Sequence, residues 1–274
     1  MLYNRKDTIE EIKNTTETID SSELDEVIHA VGIVEKVYLE RDKENLNVIA
    51  IEKPLKYINI YEGTADLVAI IKKGSSYYPK DYHNSKIIID WKSKDAAFYD
   101  LAKWKKQYSD SWQWRLYSFV EGADCFEYRG ISRANGETQK ITLKVRDTNK
   151  EDCLDYLGYT QEAIEAFNKF GEGPWPRHKP FGCHAYNREC PFYDSCKNDK
   201  IAEGLEGHIQ LKPLHYSDME VFYLCPERYR LLTKIQEKMY TKGLGDGVES
   251  SRYTRFGAAL HRGIAHIYKL SYKL

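Results

Sequence analysis

The segment Lys86-Ile-Ile-Ile-Asp-Trp-Lys92 decides the fold, because three consecutive isoleucines are typical of a β-strand that is buried on both faces. Residues two apart in a strand point to the same side of the sheet. The Asp90 carboxylate and the Lys92 ammonium should therefore share one pocket where this apolar strand ends. The segment therefore predicts a sheet covered by helices, with a charged pair at the end of this strand.

Further strands and helices are predicted on both sides of this segment. Branched and aromatic residues indicate strands over 31–39, 47–51 and 65–71, and near 124–132 and 138–146. Helical spacing predicts two short helices within 6–30, one long helix over 96–120, one over 151–170, and two in the tail from residue 216, separated by the glycine-rich stretch 243–247. The predicted fold class is α/β, with a mixed central β-sheet flanked by helices.

Composition limits the partners that the chain can take. The 274 residues are 42% hydrophobic, which is enough to fill a core, and the formal net charge is −1. No global positive field is available, so a nucleic-acid partner would need a local basic groove. The charged first 20 residues do not resemble a secretory signal, and no apolar run approaches the ~20 residues that span a bilayer. We therefore expect an intracellular, cytoplasmic protein without a membrane partner.

The cysteines point to metal ligation. In a reducing compartment six cysteines are not expected to form a disulfide framework, and most of them are clustered. Three lie close together and a fourth follows at a distance: Cys183, Cys190, Cys196 and Cys225. Soft thiolates grouped in this way suit zinc or an iron-sulfur cluster. We interpret Cys125 and Cys153 as ordinary buried thiols.

Two further motifs accompany the charged pair. Gly63-Thr-Ala-Asp66 opens the strand before it, and Gln113 and Tyr117 lie four apart on the predicted long helix, hence on one face. Two carboxylates can hold Mg²⁺ or Mn²⁺ beside a phosphodiester, while a lysine neutralises developing charge. An Asp-Lys pair by itself is common on protein surfaces and would carry no function. The additional motifs favour the functional interpretation.

The ordered set Gly-x-x-Asp, Asp-x-Lys and Gln-x-x-x-Tyr resembles the RecB-type branch of the PD-(D/E)XK nuclease superfamily. The resemblance implies that Asp66 and Asp90 bind the divalent metal, that Lys92 is catalytic, and that Gln113 and Tyr117 help to hold substrate. It also implies a restriction-endonuclease-like core. The expected activity is metal-dependent cleavage of DNA, as an exonuclease on single strands or DNA ends in recombination, repair or phage replication. A helicase or a recombination protein is the implied partner.

The same resemblance bears on the cysteines. Several RecB-type nucleases carry a four-cysteine iron-sulfur cluster with three ligands close together and one distant. The resemblance therefore implies a 4Fe-4S cluster on Cys183, Cys190, Cys196 and Cys225. His184 in place of one cysteine would favour zinc instead.

The motif order is rotated relative to the family. Members place the distant cysteine, and a Gly-x-x-x-His helix whose histidine binds metal, before the active-site strands. Here Cys225 and the motif Gly257-Ala-Ala-Leu-His261 lie at the C-terminal end. A circular permutation, a fragment of two consecutive domains, or a segment that docks onto a neighbouring chain would each explain this order. We favour a permuted domain, which requires the helix ending at Leu274 to lie near the helix beginning around Arg5.

The motifs and their order predict one compact permuted domain in two parts. Residues 1–171 form the core with the Asp-x-Lys site, and the connector Gly171-Glu-Gly-Pro-Trp-Pro leads into a helical, cysteine-bearing cap over 172–274 that also supplies His261. Two other functions stay open. One is a nuclease-like subunit that binds DNA without cutting it, and the other is a zinc-stabilised structural module.

Overall fold

The computed structural model describes residues 5–15, 21–94, 98, 100–146, 148–169, 175–177, 183, 190–197, 205–241 and 252–273. Five strands form one sheet: β1 (Leu46–Tyr57), β2 (Tyr61–Ile71), β3 (Lys86–Lys94), β4 (Cys125–Ser132) and β5 (Thr138–Lys144). The helices in the described ranges are α1 (Arg5–Thr15), α2 (Ser21–Val34), α3 (Glu40–Asn45), α4 (Leu101–Asp110), α5 (Trp112–Glu121), α6 (Asn149–Lys169), α7 (Tyr193–Lys197), α8 (Tyr216–Leu224), α9 (Pro226–Thr241) and α10 (Arg252–Tyr272). None of these helices combines the length and apolarity needed to cross a membrane.

The sheet is mixed and has the spatial order β1-β2-β3-β4-β5. β2 and β3 are antiparallel, β3 and β4 are parallel, and β4 and β5 are antiparallel. A parallel pair needs a crossover connection, which α4 and α5 supply between β3 and β4. Ile87, Ile88 and Ile89 of β3 are fully buried. The predicted α/β class with a mixed, helix-flanked sheet is confirmed.

One face of the sheet packs against the first and last helices of the chain. Ile12 of α1, Val31 of α2 and Leu260 of α10 share a buried cluster with Trp91 of β3. A Cβ at Gly263 of α10 would lie 2.6 Å from the Val31 side chain and 3.0 Å from that of Ile12, so the three helices are in close contact. The adjacency of α1 and α10 is the condition that a permuted order requires.

The predicted strand over 31–39 is wrong. α2 continues to Val34, and a π-helical segment, Glu35–Leu39, leads directly into α3. Val27, Val31, Val34 and Tyr38 are spaced three or four apart, and all are buried. Burial of this helical face outweighs the strand preference of branched residues.

Two predicted helices are each broken in two. Ser111 ends α4 and caps α5, because its hydroxyl accepts the backbone N–H of Gln113 at 3.2 Å. The helix predicted from residue 216 is interrupted by extended backbone at Cys225, and Pro226 begins α9. The residue before a proline avoids helical backbone angles, and proline is favoured at a first helical position. The predicted start of the long helix, at residues 96–97, lies outside the described residues, and so does the glycine-rich stretch 243–247.

The remaining predicted elements match. Strands near 47–51, 65–71, 86–91, 124–132 and 138–146 and the helix over 151–170 correspond to β1 to β5 and α6.

The chain divides into two compact units. The first comprises Met1–Leu55, Thr64–Lys150 and Ser250–Leu274, and the second comprises Lys56–Gly63 and Glu151–Glu249. α10 therefore belongs with the first unit, and the cysteine cluster belongs to the second. The predicted boundary after residue 171 stays a prediction.

Candidate active site

Neighbouring strands β2 and β3 bring two carboxylates together. β3 continues to Lys94, and β2 begins at Tyr61, so the predicted position of Asp90 at the end of its strand and of Asp66 at the start of its strand is wrong: both lie in the middle of a strand. The antiparallel register pairs Leu67 of β2 with Ile89 of β3, so Asp66 and Asp90 stand opposite each other one step further along. The backbone N–H of Trp91 donates to Oδ2 of Asp66 at 2.8 Å. This bond holds the Asp66 carboxylate against β3.

α10 brings His261 to the same carboxylate. Nδ1 of His261 lies 2.9 Å from Oδ1 of Asp66, although the two residues are 195 positions apart in the chain. The Gly-x-x-x-His motif at the C-terminal end is thus brought to the Asp66 strand within this one chain. The small separation is what the metal-ligand hypothesis for His261 requires.

β3 and α5 supply the contacts of Asp90. Nζ of Lys92 lies 2.8 Å from Oδ2 of Asp90, as expected for residues two apart in a strand. The amide of Gln113 donates to Oδ1 of Asp90 at 3.2 Å. The Asp90 side chain is only 3% exposed, against 25% for Lys92. The second carboxylate is therefore held deep in the site, and the ammonium lies nearer the solvent.

In the Asp66–His261 pair the carboxylate is again the less exposed partner: the Asp66 side chain is 16% exposed and that of His261 is 33% exposed. The two carboxylates are thus the more buried groups of the site, and the side chains of His261 and Lys92 are the more exposed ones.

Burial and neighbouring charges shift the pKa of each group. Burial raises the pKa of Asp90, and the ammonium of Lys92 offsets this only in part. Burial acts in the same direction on Asp66, but His261, the backbone N–H of Trp91 and Lys92 together outweigh it, so the pKa of Asp66 is lowered. Burial alone would lower the pKa values of His261 and Lys92, yet the carboxylates raise both. Burial thus disfavours the charged form of Asp90, and a cation beside this carboxylate would lower its pKa again.

Gln113 and Tyr117 lie beside the site, and their implied role of holding substrate stays a prediction. Gln113 positions Asp90, and Tyr117 is buried and hydrogen-bonded to Gln113. Sequence reasoning missed Tyr128, whose hydroxyl donates to Oε1 of Gln113 at 3.5 Å. Tyr128 faces Asp90 in the register of β3 and β4. The sequence predicts both strands but contains no signal for their pairing.

The donor set fits a hard divalent cation. Two carboxylates and an imidazole suit Mg²⁺ or Mn²⁺. Within the described ranges, no three histidine, cysteine, aspartate or glutamate side chains are arranged as a ready set of metal ligands. Asp66 contacts His261 and Asp90 contacts Lys92 directly, so an ion would replace or rearrange these two contacts. Asp66, Asp90 and His261 are the residues that would hold it.

The four clustered cysteines lie in the second unit, and all four are buried. The backbone N–H of Cys190 donates to the carbonyl of Cys183 at 2.7 Å. Burial raises the pKa of Cys196, the adjacent Arg177 lowers it, and the nearby Cys190 and Cys225 raise it further. None of the six cysteines, all of them within the described ranges, is in a disulfide. His184, the proposed zinc-favouring residue, lies outside those ranges.

The surroundings of the cysteines suit a soft metal centre. Phe192, Leu205 and Leu231 pack with Cys183, Cys190 and Cys196 in one apolar cluster. The guanidinium of Arg177 donates to the carbonyl of Cys196 at 3.1 Å, which places a positive charge beside these sulfurs. Buried thiols with a nearby cation fit the ligation of an anionic cluster.

No protein-family model matches the chain, and a search of curated proteins finds no match either.

Proposed function

We propose that this protein is a Mg²⁺- or Mn²⁺-dependent deoxyribonuclease whose active site is built from Asp66, Asp90, Lys92 and His261. The observation that carries the proposal is the approach of His261 to Asp66 at 2.9 Å, next to the Asp90–Lys92 ion pair. Two carboxylates, an imidazole and an ammonium in one partly exposed site form the set of groups that phosphodiester hydrolysis needs. The motif resemblance supports the same assignment.

Each side chain has a distinct role in this proposal. Asp66, Asp90 and His261 would hold the divalent ion, which would supply polarisation of the phosphate and activation of water. Gln113 holds the Asp90 carboxylate in place through its amide. The Lys92 ammonium donates hydrogen bonds to the phosphate as negative charge develops on it. The expected substrates are DNA single strands or DNA ends, in recombination, repair or phage replication.

We interpret the core as restriction-endonuclease-like and circularly permuted. The contact between α1 and α10 supports this order, because in the unpermuted order these two helices would be joined. His261 reaches Asp66 within one chain, which favours permutation over a fragment of two domains or docking onto a neighbouring chain.

The first test is cleavage of end-labelled DNA by the wild-type protein. We expect cleavage of single strands with Mn²⁺ or Mg²⁺, none after chelation by EDTA, and recovery when the metal is restored, since the proposed chemistry requires the ion. Metal-independent cleavage would contradict the proposal. Binding of DNA with no cleavage in either metal would favour the non-cutting DNA-binding subunit.

We further propose that Cys183, Cys190, Cys196 and Cys225 hold a 4Fe-4S cluster that stabilises the second unit. The protein purified without oxygen should be brown, with absorption at about 400 nm. Cys190→Ser should remove most of the iron, because the cluster loses one thiolate ligand. Cys153→Ser is the matched control, since Cys153 is buried in the same unit outside the cluster and its substitution should leave the iron content unchanged. A colourless protein that contains zinc would instead support the zinc-stabilised alternative.

A further inference from the structure

A glycine beside the active-site lysine lets helix α4 come close to the sheet. Gly130 of β4 is the register partner of Lys92 in β3. A Cβ on Gly130 would lie 2.7 Å from ring atoms of both Phe98 and Trp104, which is closer than real Cβ contacts allow. The rings of Phe98 and Trp104 therefore occupy the space that a side chain at position 130 would need. This packing places α4 next to Lys92.

α4 presents a tyrosine to the same place. Trp104 and Tyr108 are four apart on α4, hence on one face, and their ring centroids are 5.0 Å apart. The Tyr108 ring also packs on Tyr128 at 4.7 Å, and Nζ of Lys92 lies 5.7 Å from the centre of that same Tyr128 ring. Tyr108 and Lys92 thus share one aromatic neighbour.

Tyr108 is also the accessible member of this aromatic group. Trp104 is 5% exposed and Tyr128 is fully buried, whereas Tyr108 is half-buried. The outer side of the same helix carries the exposed lysines Lys103, Lys105 and Lys106. These lysines form a local basic surface that would attract a polyanion, in a chain with no overall excess of positive charge.

We propose that Tyr108 is a substrate-contacting residue, whose hydroxyl donates a hydrogen bond to the same nucleic-acid phosphate that Lys92 neutralises. The proposal rests on the nuclease function proposed above and adds a group that none of the sequence motifs contains. A phenol and an ammonium that contact the same aromatic ring can offer two donors to one anionic oxygen group. The lysines of α4 would guide the phosphate backbone toward them.

The test is the substitution Tyr108→Phe, which removes only the hydroxyl and keeps the ring packing on Trp104 and Tyr128. We expect KM for single-stranded DNA to rise about tenfold, because a hydrogen bond to a charged group is lost. The kcat and the Mn²⁺ concentration for half-maximal rate should stay within about twofold of wild type, which a merely structural defect would not produce. Tyr82→Phe, at another half-buried tyrosine of the same unit, is the control and should leave KM unchanged.

Two results would overturn this inference. One is a KM for Tyr108→Phe equal to that of the control, and the other is a loss of kcat or of Mn²⁺ affinity without a change in KM. If the wild-type protein does not cleave DNA, the proposed function fails, and the inference is then tested by fluorescence anisotropy with a labelled oligonucleotide. About tenfold weaker binding by Tyr108→Phe would support the Tyr108 contact, and unchanged binding would refute it.

Discussion

Asp90→Ala should lower the cleavage rate by about a thousandfold or more while the protein stays folded. Asp90 lies at the centre of the site, where it contacts Lys92 and Gln113 and faces Asp66 across the strands. Its loss removes a metal ligand and also leaves Lys92 without its charged partner. Removal of one group that stabilises a transition state electrostatically costs roughly 10²–10³-fold, and here two functions are lost together.

The matched control is Asp110→Ala in the same unit. The Asp110 side chain is 66% exposed and makes only a 3.7 Å surface pair with Lys106, so we expect a change of less than about twofold. Single-turnover cleavage of labelled DNA measures the rates, and circular dichroism checks the fold. Lys92 is one-quarter exposed and can be hydrated when Asp90 is absent, so thermal unfolding should change little. Equal activity of Asp90→Ala and wild type would refute the assigned active site.

Asp42→Ala is expected to destabilise the protein by about 3–5 kcal/mol, since it leaves a buried guanidinium without its main partner. Asp42 and Arg129 are both fully buried and form a two-point ion pair, with contacts of 2.5 and 2.9 Å. The hydroxyl of Tyr268, on α10, donates to the same carboxylate. The pair therefore joins α3, β4 and the helix that carries His261.

The control for stability is Glu40→Ala, which removes the same charge from the same helix. The Glu40 side chain is 75% exposed and pairs with Lys43 at 2.8 Å, so its loss should cost no more than about 0.5 kcal/mol. Urea denaturation followed by circular dichroism gives the free energy of unfolding for each variant. Similar losses for the two variants would contradict the assigned importance of the buried pair. Asp42→Ala should also weaken Mn²⁺ binding, because α10 holds His261 against Asp66.

Local sequence patterns predicted much of the fold and the motif-bearing part of the site. The isoleucine run predicted β3, and the spacing of Asp90 and Lys92 predicted their contact, because strand geometry depends only on neighbouring residues. The strand predicted over 31–39 was wrong because its conformation depends on contacts with distant parts of the chain. Val31 and Val34 favour strands locally, but burial against other helices decides their conformation.

The sequence by itself determined the chemistry that is available: two carboxylates, an ammonium and an imidazole in recognisable motifs, and a set of clustered thiols. Only the tertiary structure decided which groups meet. The contact of His261 with Asp66, the packing of Tyr108 on Tyr128 and the burial of Arg129 against Asp42 join different parts of the chain. Such contacts depend on strand pairing and helix packing, which maximise burial over the whole chain and leave no local pattern in the sequence.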